Sequence, residues 1–474
     1  MAEKMSKTRR DIITIAALGL VFITLPLFFQ RLHSDEVIFW EVAKNIASGA
    51  GPISETHEGT FFILHMPLPF LISAFFLMIS EHIFMARAVA SIFTTGCAVF
   101  IYLAASKRFD RSEALISALF FLFSFQMLRY GGRFYLDQFG AMFFVASIYF
   151  VFLKRYATAG LLALLAIISR EYWAAVYPFL ALYVLRQGDG VRGAVRFIFP
   201  GAVAIVLFLI LLISTGIGAD LAGEMYRSAI AKNIRASFTA HPAGEVVAKL
   251  GRAWAEFLIL NLILAAGLAV AAWKNRSLLL LIIPQIILTS LAHGFMVDGG
   301  VTQYPIGLLA TIAIFSGTGI KRLSAVFFNQ RHFISVGLVV LFMQFAAFNM
   351  IATTVSLHGN FSIYGLGYSD DRKVIEILRR EARGEYIHGI WGAFVEDRKR
   401  WDWTDYLIQD AIDKDPDWLV TYENYIEVNP DKKLKSICDV YRIGPYVMVH
   451  SLHATPLNEV VRQRGFDRWA LRKG

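Results

Sequence analysis

Long apolar stretches separated by short polar turns dominate the first three quarters of the chain. Residues 12–30 (IITIAALGLVFITLPLFFQ) are apolar behind Lys4, Lys7, Arg9 and Arg10. That basic flank predicts a cytoplasmic N-terminus, and with no small-residue cleavage site following, the segment reads as a retained anchor. Further apolar runs lie at 88–106, 114–128, 138–153, 156–169, 172–185, 195–215, 255–272, 277–292, 305–320 and 333–352. With the first they predict about eleven transmembrane helices, the shorter ones borrowing flanking residues to reach the roughly 20 that a bilayer requires.

The stretch 61–80 (FFILHMPLPFLISAFFLMIS) is apolar enough to be a twelfth span. Charge asymmetry decides against it. If it does not cross, seventeen Lys and Arg fall in inside loops and eleven in the longer outside loops. Crossing would flip every later loop and remove that excess, contrary to the positive-inside rule. His65, Pro67 and Pro69 also suit a helix lying in the outer interface. The stretch is therefore expected to be juxtamembrane, in the first outer loop.

Eleven spans from a cytoplasmic start place the C-terminus on the extracytoplasmic side. Beyond residue 352 charge rises and long apolar runs stop. Short apolar strands at 386–391 (YIHGIW), 417–422 (DWLVTY) and 446–452 (YVMVHSL) alternate with helix-like stretches at 371–383 and 402–413. This alternation predicts a small α/β domain. The expected organisation is thus a polytopic α-helical membrane domain over 1–352 and an extracytoplasmic soluble domain over 353–474, in a plasma or inner membrane.

Composition agrees with a membrane protein. Of 474 residues, 56% are hydrophobic and 18% charged, with mean hydropathy +0.53. These values exclude disorder and a disulfide scaffold, and they do not suit an ordinary soluble enzyme. The net charge of +9 reflects Lys and Arg held in cytoplasmic loops, so it does not point to nucleic acid. Cys97 and Cys438 carry no redox signal.

Against so few charges, acidic and basic residues at outer helix ends stand out. Asp35 and Glu36 follow the first span and open an amphipathic helix on which Phe39, Ala43 and Ile46 share a face. They read either as helix-start acids or as carboxylates held at the membrane surface to take a proton from an incoming hydroxyl or amine. The segment RYGGRFYLDQFG (129–140) offers Arg129, Arg133 and Asp137 on the same side. There Asp137 is either an N-cap or a second acidic group at the depth of Asp35. In SREYWAAVYP (169–178), Arg170 and Glu171 interrupt an apolar stretch. They form a polar hairpin turn or, because charge at membrane depth is costly, a functional pair. Residues 217–254 carry Tyr226, Arg227, Lys232, Arg235 and His241, as a solvated loop or as a basic surface for a lipid-linked phosphate. Tyr304 and Pro305 open the span at 305–320 as interfacial residues often do. His33, His57 and His65 lie in the first outer region with no metal-ligand spacing, although His57 and His65 leave a divalent metal open. There is no GxxxxGK[ST], GxSxG, HExxH or CxxC, which leaves nucleotide-driven transport, serine hydrolysis and zinc proteolysis without support.

In order along the chain come HSDEVIFW, the MPLP of the juxtamembrane segment, MARAVAS, KRFDRSEA, GRFYLDQFG, REYWAAVYP and TQYPIGLLATIAI. Over roughly residues 10–320 this ordered set resembles the membrane-embedded GT-C glycosyltransferases. In particular it resembles the family that includes the dolichyl-phosphate-mannose protein mannosyltransferases and the bacterial lipid A aminoarabinose transferases. The resemblance implies a sugar donor on a polyprenyl (dolichyl or undecaprenyl) phosphate and a lipid, glycan or protein acceptor. It also implies inverting transfer on the extracytoplasmic face of the bilayer. It matches Asp35 to the catalytic acid position with Glu36 beside it, Asp137 to the acidic residue of the second outer loop, and Glu171 to a polar residue of the next hairpin. Where the family often has Arg before Tyr-Pro, this chain has Gln303. The phosphate contact is then expected from Arg129, Arg133, Arg170 or the 227–235 cluster. The resemblance names no cofactor and leaves a divalent metal open. The competing class is a membrane transporter or lipid-handling protein, which would hold its charges near mid-membrane. An acyl or phosphoethanolamine transferase would need a nucleophile or metal site.

Overall fold

The computed structural model describes residues 2–54, 60–61, 65–187, 189–215, 243–274, 276–295, 304–327, 335, 337–339, 342, 368–402, 416–422, 438–443 and 446–451. The chain forms two compact units. One comprises Met1–Leu27 with Ile63–Met350, the other Phe28–Phe62 with Ile351–Gly474.

The first unit is helical. Helix α1 (Ala2–Gly19) widens into a π-helical stretch, Leu20–Thr24, and then tightens into a 3-10 turn, Leu25–Phe28. Ser6–Phe28 and α4 (Ile83–Ala105) are long and apolar enough to cross a membrane. The shorter apolar helices include α7 (Asp137–Phe152), α8 (Tyr156–Ile167) and α9 (Trp173–Leu185). Helix α3 (Leu68–Leu77) has ten residues, about 15 Å at 1.5 Å per residue, half the depth of a bilayer core. It turns Leu71, Phe75, Met78 and Ile79 outward, while Phe70, Ala74 and Leu77 are buried. That apolar outer face is what a helix lying in the membrane interface presents.

The run expected as one span at 114–128 is broken. Helix α5 (Arg111–Leu122) starts from an Asp110/Glu113 capping box, and α6 (Phe125–Tyr130) restarts after Ser124. The Ser124 hydroxyl donates to the Phe121 carbonyl at 2.7 Å and competes with the helical ladder there. Next come α10 (Gly190–Thr215), α11 (Ala243–Lys274), α12 (Leu279–Phe295) and α13 (Ile306–Phe327). Helix α7 packs on α4 and α8, and α13 packs on α5 and α11. Helices approach closely where a side chain is missing: a Cβ on Gly160 would overlap the Phe197 carbonyl.

The second unit is α/β. Helix α2 (Ser34–Ala47) precedes a short hairpin of β1 (Ile53–Ser54) and β2 (Thr60–Phe61). Helix α14 (Tyr368–Glu381) buries Val374, Ile375 and Leu378. Strands β3 (Tyr386–His388), β4 (Arg400–Asp402), β5 (Trp418–Tyr422), β6 (Cys438–Ile443) and β7 (Tyr446–Ser451) form a mixed sheet in the order β4-β3-β5-β7-β6. β3 is parallel to β4 and β5, and β7 is antiparallel to β5 and β6. Trp391, Trp418 and Tyr446 are fully buried in its core. The strands expected at 386–391, 417–422 and 446–452 and the helix at 371–383 correspond to β3, β5, β7 and α14. Most of 402–413 lies outside the described residues.

The units do not follow a division at 352 alone. Residues 28–62, expected within the membrane domain, group with the C-terminal chain, because main-chain groups at 29–32 bond to residues 368–371.

Candidate active site

In the first unit, the turn between α8 and α9 and the first residue of α7 assemble a buried charge cluster. Asp137 is 1% exposed and Arg170 5%. Arg170 Nε lies 3.5 Å from Asp137 Oδ1, and Arg170 Nη1 lies 3.5 Å from Glu171 Oε1. Tyr172 donates its hydroxyl to Asp137 Oδ1 at 3.2 Å. The guanidinium carbon also sits 5.9 Å from the ring centres of both Tyr172 and Tyr304, within cation–π range. Asp137 is not an N-cap. Leu136 holds that position, and no side chain caps the helix.

His65, just before α3, closes the cluster. Arg170 Nη1 lies 2.7 Å from His65 Nδ1, and a guanidinium only donates, so that nitrogen accepts and carries no proton. Glu171 Oε1 is 3.1 Å from the same nitrogen, a contact that would need the proton. The two bonds exclude each other, so His65 can serve Arg170 when neutral or Glu171 when charged. Burial and the Arg170 charge push the imidazole below its ordinary value, against the pull of Glu171 and Asp137. Burial alone would raise the Glu171 carboxyl, but Arg170 and His65 outweigh it and bring it down to about 2. The Oε2 of Glu171 is buried and, among the described residues, has no hydrogen-bond partner. The cluster thus holds two carboxyl groups around one guanidinium.

The structure thus brings together Asp137, Arg170, Glu171 and Tyr304 with His65, which the sequence offered only as a metal ligand, and adds Tyr172. Tyr172 carried no signal, since tyrosine at a membrane interface is ordinary. Among the described residues no three His, Cys, Asp or Glu gather as a metal site requires. His57 lies outside the described residues. Arg129 and Arg133 shape the preceding loop: Arg129 lies over the Tyr130 ring at 5.6 Å, and buried Arg133 donates Nε to the Arg129 carbonyl at 3.2 Å. Tyr226, Arg227, Lys232, Arg235 and Gln303 lie outside the described residues.

Asp35 and Glu36 belong to the second unit, in the first turn of α2. The N-cap is His33, whose side chain makes no cap bond, so Asp35 is not the cap. Both acids gain from the partial positive charge of the helix start. They differ in burial: Glu36 is 0% exposed, whereas Asp35 is half-buried.

Comparison with known proteins bears on the fold. A family model described as dolichyl-phosphate-mannose-protein mannosyltransferase matches residues 65–215. No curated protein matches the chain. Among solved structures, ArnT from Cupriavidus metallidurans bound to undecaprenyl phosphate superposes with TM-score 0.58 at 11% identity, covering 94% of this chain and 98% of ArnT. The archaeal oligosaccharyltransferase AglB from Archaeoglobus fulgidus, in complex with an inhibitory peptide and a dolichol-phosphate, superposes with TM-score 0.56 at 10% identity, covering 96% of this chain and 75% of AglB. The chain therefore has the fold of the GT-C membrane glycosyltransferases and, over residues 65–215, the sequence pattern of the protein mannosyltransferase family.

Proposed function

We propose that the protein is an integral membrane glycosyltransferase that moves a sugar from a polyprenyl phosphate to an acceptor on the extracytoplasmic face, with inversion. The observation that carries this reading is a fold shared over 94% of the chain with an enzyme crystallised with undecaprenyl phosphate. In the reaction, the acceptor oxygen or nitrogen forms the new bond to the anomeric carbon as the bond to the phosphate oxygen breaks. The polyprenyl phosphate leaves as an anion and needs no strong acid. One base must take the acceptor proton. Asp35, half-exposed at a helix start, takes that role, and buried Glu36 orients it.

The cluster of Asp137, Arg170, Glu171 and Tyr304 is the acceptor-binding candidate, since carboxyl oxygens accept hydrogen bonds from a hydroxyl or amine. Arg170 is committed to two carboxylates and a histidine. The phosphate contact therefore falls to Arg129, Arg133 or the basic residues at 227–235. The topology that goes with this chemistry has a cytoplasmic N-terminus and an extracytoplasmic C-terminal domain.

The test is an assay of purified full-length protein in lipid with a panel of polyprenyl-phosphate sugars, scored for free polyprenyl phosphate. Release that depends on an added acceptor is the expected result. Movement of lipid across the bilayer with no release from any donor would favour the transporter class and overturn the reading.

A further inference from the structure

Within the second unit, the strand-like segment just before α2 is held by the C-terminal chain. Tyr368 donates its backbone N–H to the Phe29 carbonyl at 3.1 Å. The Leu32 N–H donates to Asp371 Oδ2 at 2.8 Å, and Tyr446 donates its hydroxyl to Asp371 Oδ1. Arg31 reaches Asp370 at 3.4 Å and the Tyr446 oxygen at 3.3 Å, with its guanidinium 5.4 Å from the Tyr446 ring centre. Asp371 and Tyr446 are both 0% exposed. Farther along α2, Trp40 stacks on Phe394 with ring centres 4.8 Å apart and planes at 12°, and Glu41 meets Arg398 at 3.8 Å.

A fully buried carboxylate is costly unless its oxygens are satisfied. Here each oxygen is hydrogen-bonded, and one of the donors is a main-chain N–H three residues before Asp35. The other, Tyr446, opens β7 and lies against buried Trp391 at 4.7 Å. The position of the chain at residue 32, and so the point where α2 starts, is thereby fixed to the rigid sheet. Burial pushes the Asp371 carboxyl above its ordinary value, against the Tyr446 and Leu32 bonds and the Arg31 charge.

We propose that Asp371 and Tyr446 are positioning residues for Asp35, so that the C-terminal α/β domain sets the geometry of the transfer reaction instead of serving as a passive appendage. This inference rests on the reading of Asp35 as the base.

Its test uses full-length protein with Asp371→Ala, Asp371→Asn and Tyr446→Phe, and Arg372→Ala on the exposed face of α14 as control. Two quantities are read: hydrogen exchange of the amides at 31–37, and kcat and KM of transfer. Asp371→Ala and Tyr446→Phe should raise exchange at Leu32 at least tenfold and lower kcat at least tenfold, with donor KM changed less than threefold. Asp371→Asn, which keeps one acceptor oxygen, should recover part of both effects, and Arg372→Ala should match wild type. Unchanged exchange in Tyr446→Phe, which keeps the buried ring, would overturn the tether. Raised exchange with wild-type kcat would overturn the positioning role. Full activity of Asp35→Asn alongside raised exchange in the Asp371 variants would instead fault the assignment of the base and leave the tether standing.

Discussion

At the scale of single residues, the chemistry lies in charges that the chain holds where charge is expensive. Asp137, Arg170, Glu171 and Tyr304 were visible in the sequence because a chain with 18% charged residues places few ionisable groups beside apolar spans without use for them. Their arrangement was not visible. Arg170 reaches Asp137 across 33 positions and His65 across 105, separations that no local pattern encodes. The same limit affected the acids at helix starts. Asp35 and Asp137 both resembled caps, yet His33 and Leu136 hold the cap positions, and Asp137 is engaged by Arg170 and Tyr172 instead. Arg170→Met should strand buried Asp137 and half-buried Glu171 and cost about 3–5 kcal/mol of stability, measured by unfolding in detergent; a loss under 1 kcal/mol would deny the cluster its structural weight. His65 predicts a pH effect with a definite sign. Its folded value lies below the unfolded one, so the neutral form contributes stability that is present above the unfolded value of about 6.5 and lost as pH falls. The melting temperature of wild type should therefore drop more between pH 7 and 5 than that of His65→Gln. The ceiling is about 1.4 kcal/mol per pH unit for one proton. Parallel curves would contradict the neutral, Arg170-bound imidazole.

At the scale of elements, the hairpin between α8 and α9 is set by one side chain. Trp173 opens α9, is 1% exposed, and stacks on Phe144 with ring centres 4.2 Å apart. Its indole runs where Gly140 of α7 and Gly307 of α13 have no side chains: a Cβ on Gly307 would come within 2.6 Å of the ring. Because Trp173 follows Arg170, Glu171 and Tyr172 directly, its seat fixes theirs. Gly140→Ala should push the indole aside, cost about 1–3 kcal/mol by overpacking and raise the KM for acceptor; unaltered acceptor KM would separate the hairpin from the binding site. Most helices were legible from apolar runs and their polar ends. The break between α5 and α6 was not, since LFSF at 122–125 has neither Gly nor Pro. A buried amide pair meets there, with Asn261 Nδ2 3.3 Å from Gln126 Oε1, and Asn261 is itself the non-helical residue that kinks α11. Two interruptions coincide at one polar contact, a tertiary fact with only Ser124 as a local trace.

At the scale of the whole molecule, hydropathy predicts an apolar helical part and a charged α/β tail, because burying apolar area in lipid or in a sheet leaves different periods in the sequence. It assigns the first outer segment to the helical part. Residues 28–62 follow a span and read as a membrane-domain loop, yet the bond from Leu32 to Asp371 crosses 339 positions, and the compact unit it joins is the C-terminal one. The shared fold with ArnT runs through both parts of the chain, and the proposed base stands on the segment that the tail holds. The claim on which the whole account turns is that Asp35 removes the acceptor proton. The most direct measurement is the single-turnover rate of polyprenyl phosphate release by full-length Asp35→Asn beside wild type, with folding checked by melting temperature. A rate lower by about 10²–10⁴ at an unchanged melting temperature is the predicted result. Wild-type turnover in the Asp35→Asn protein would contradict it.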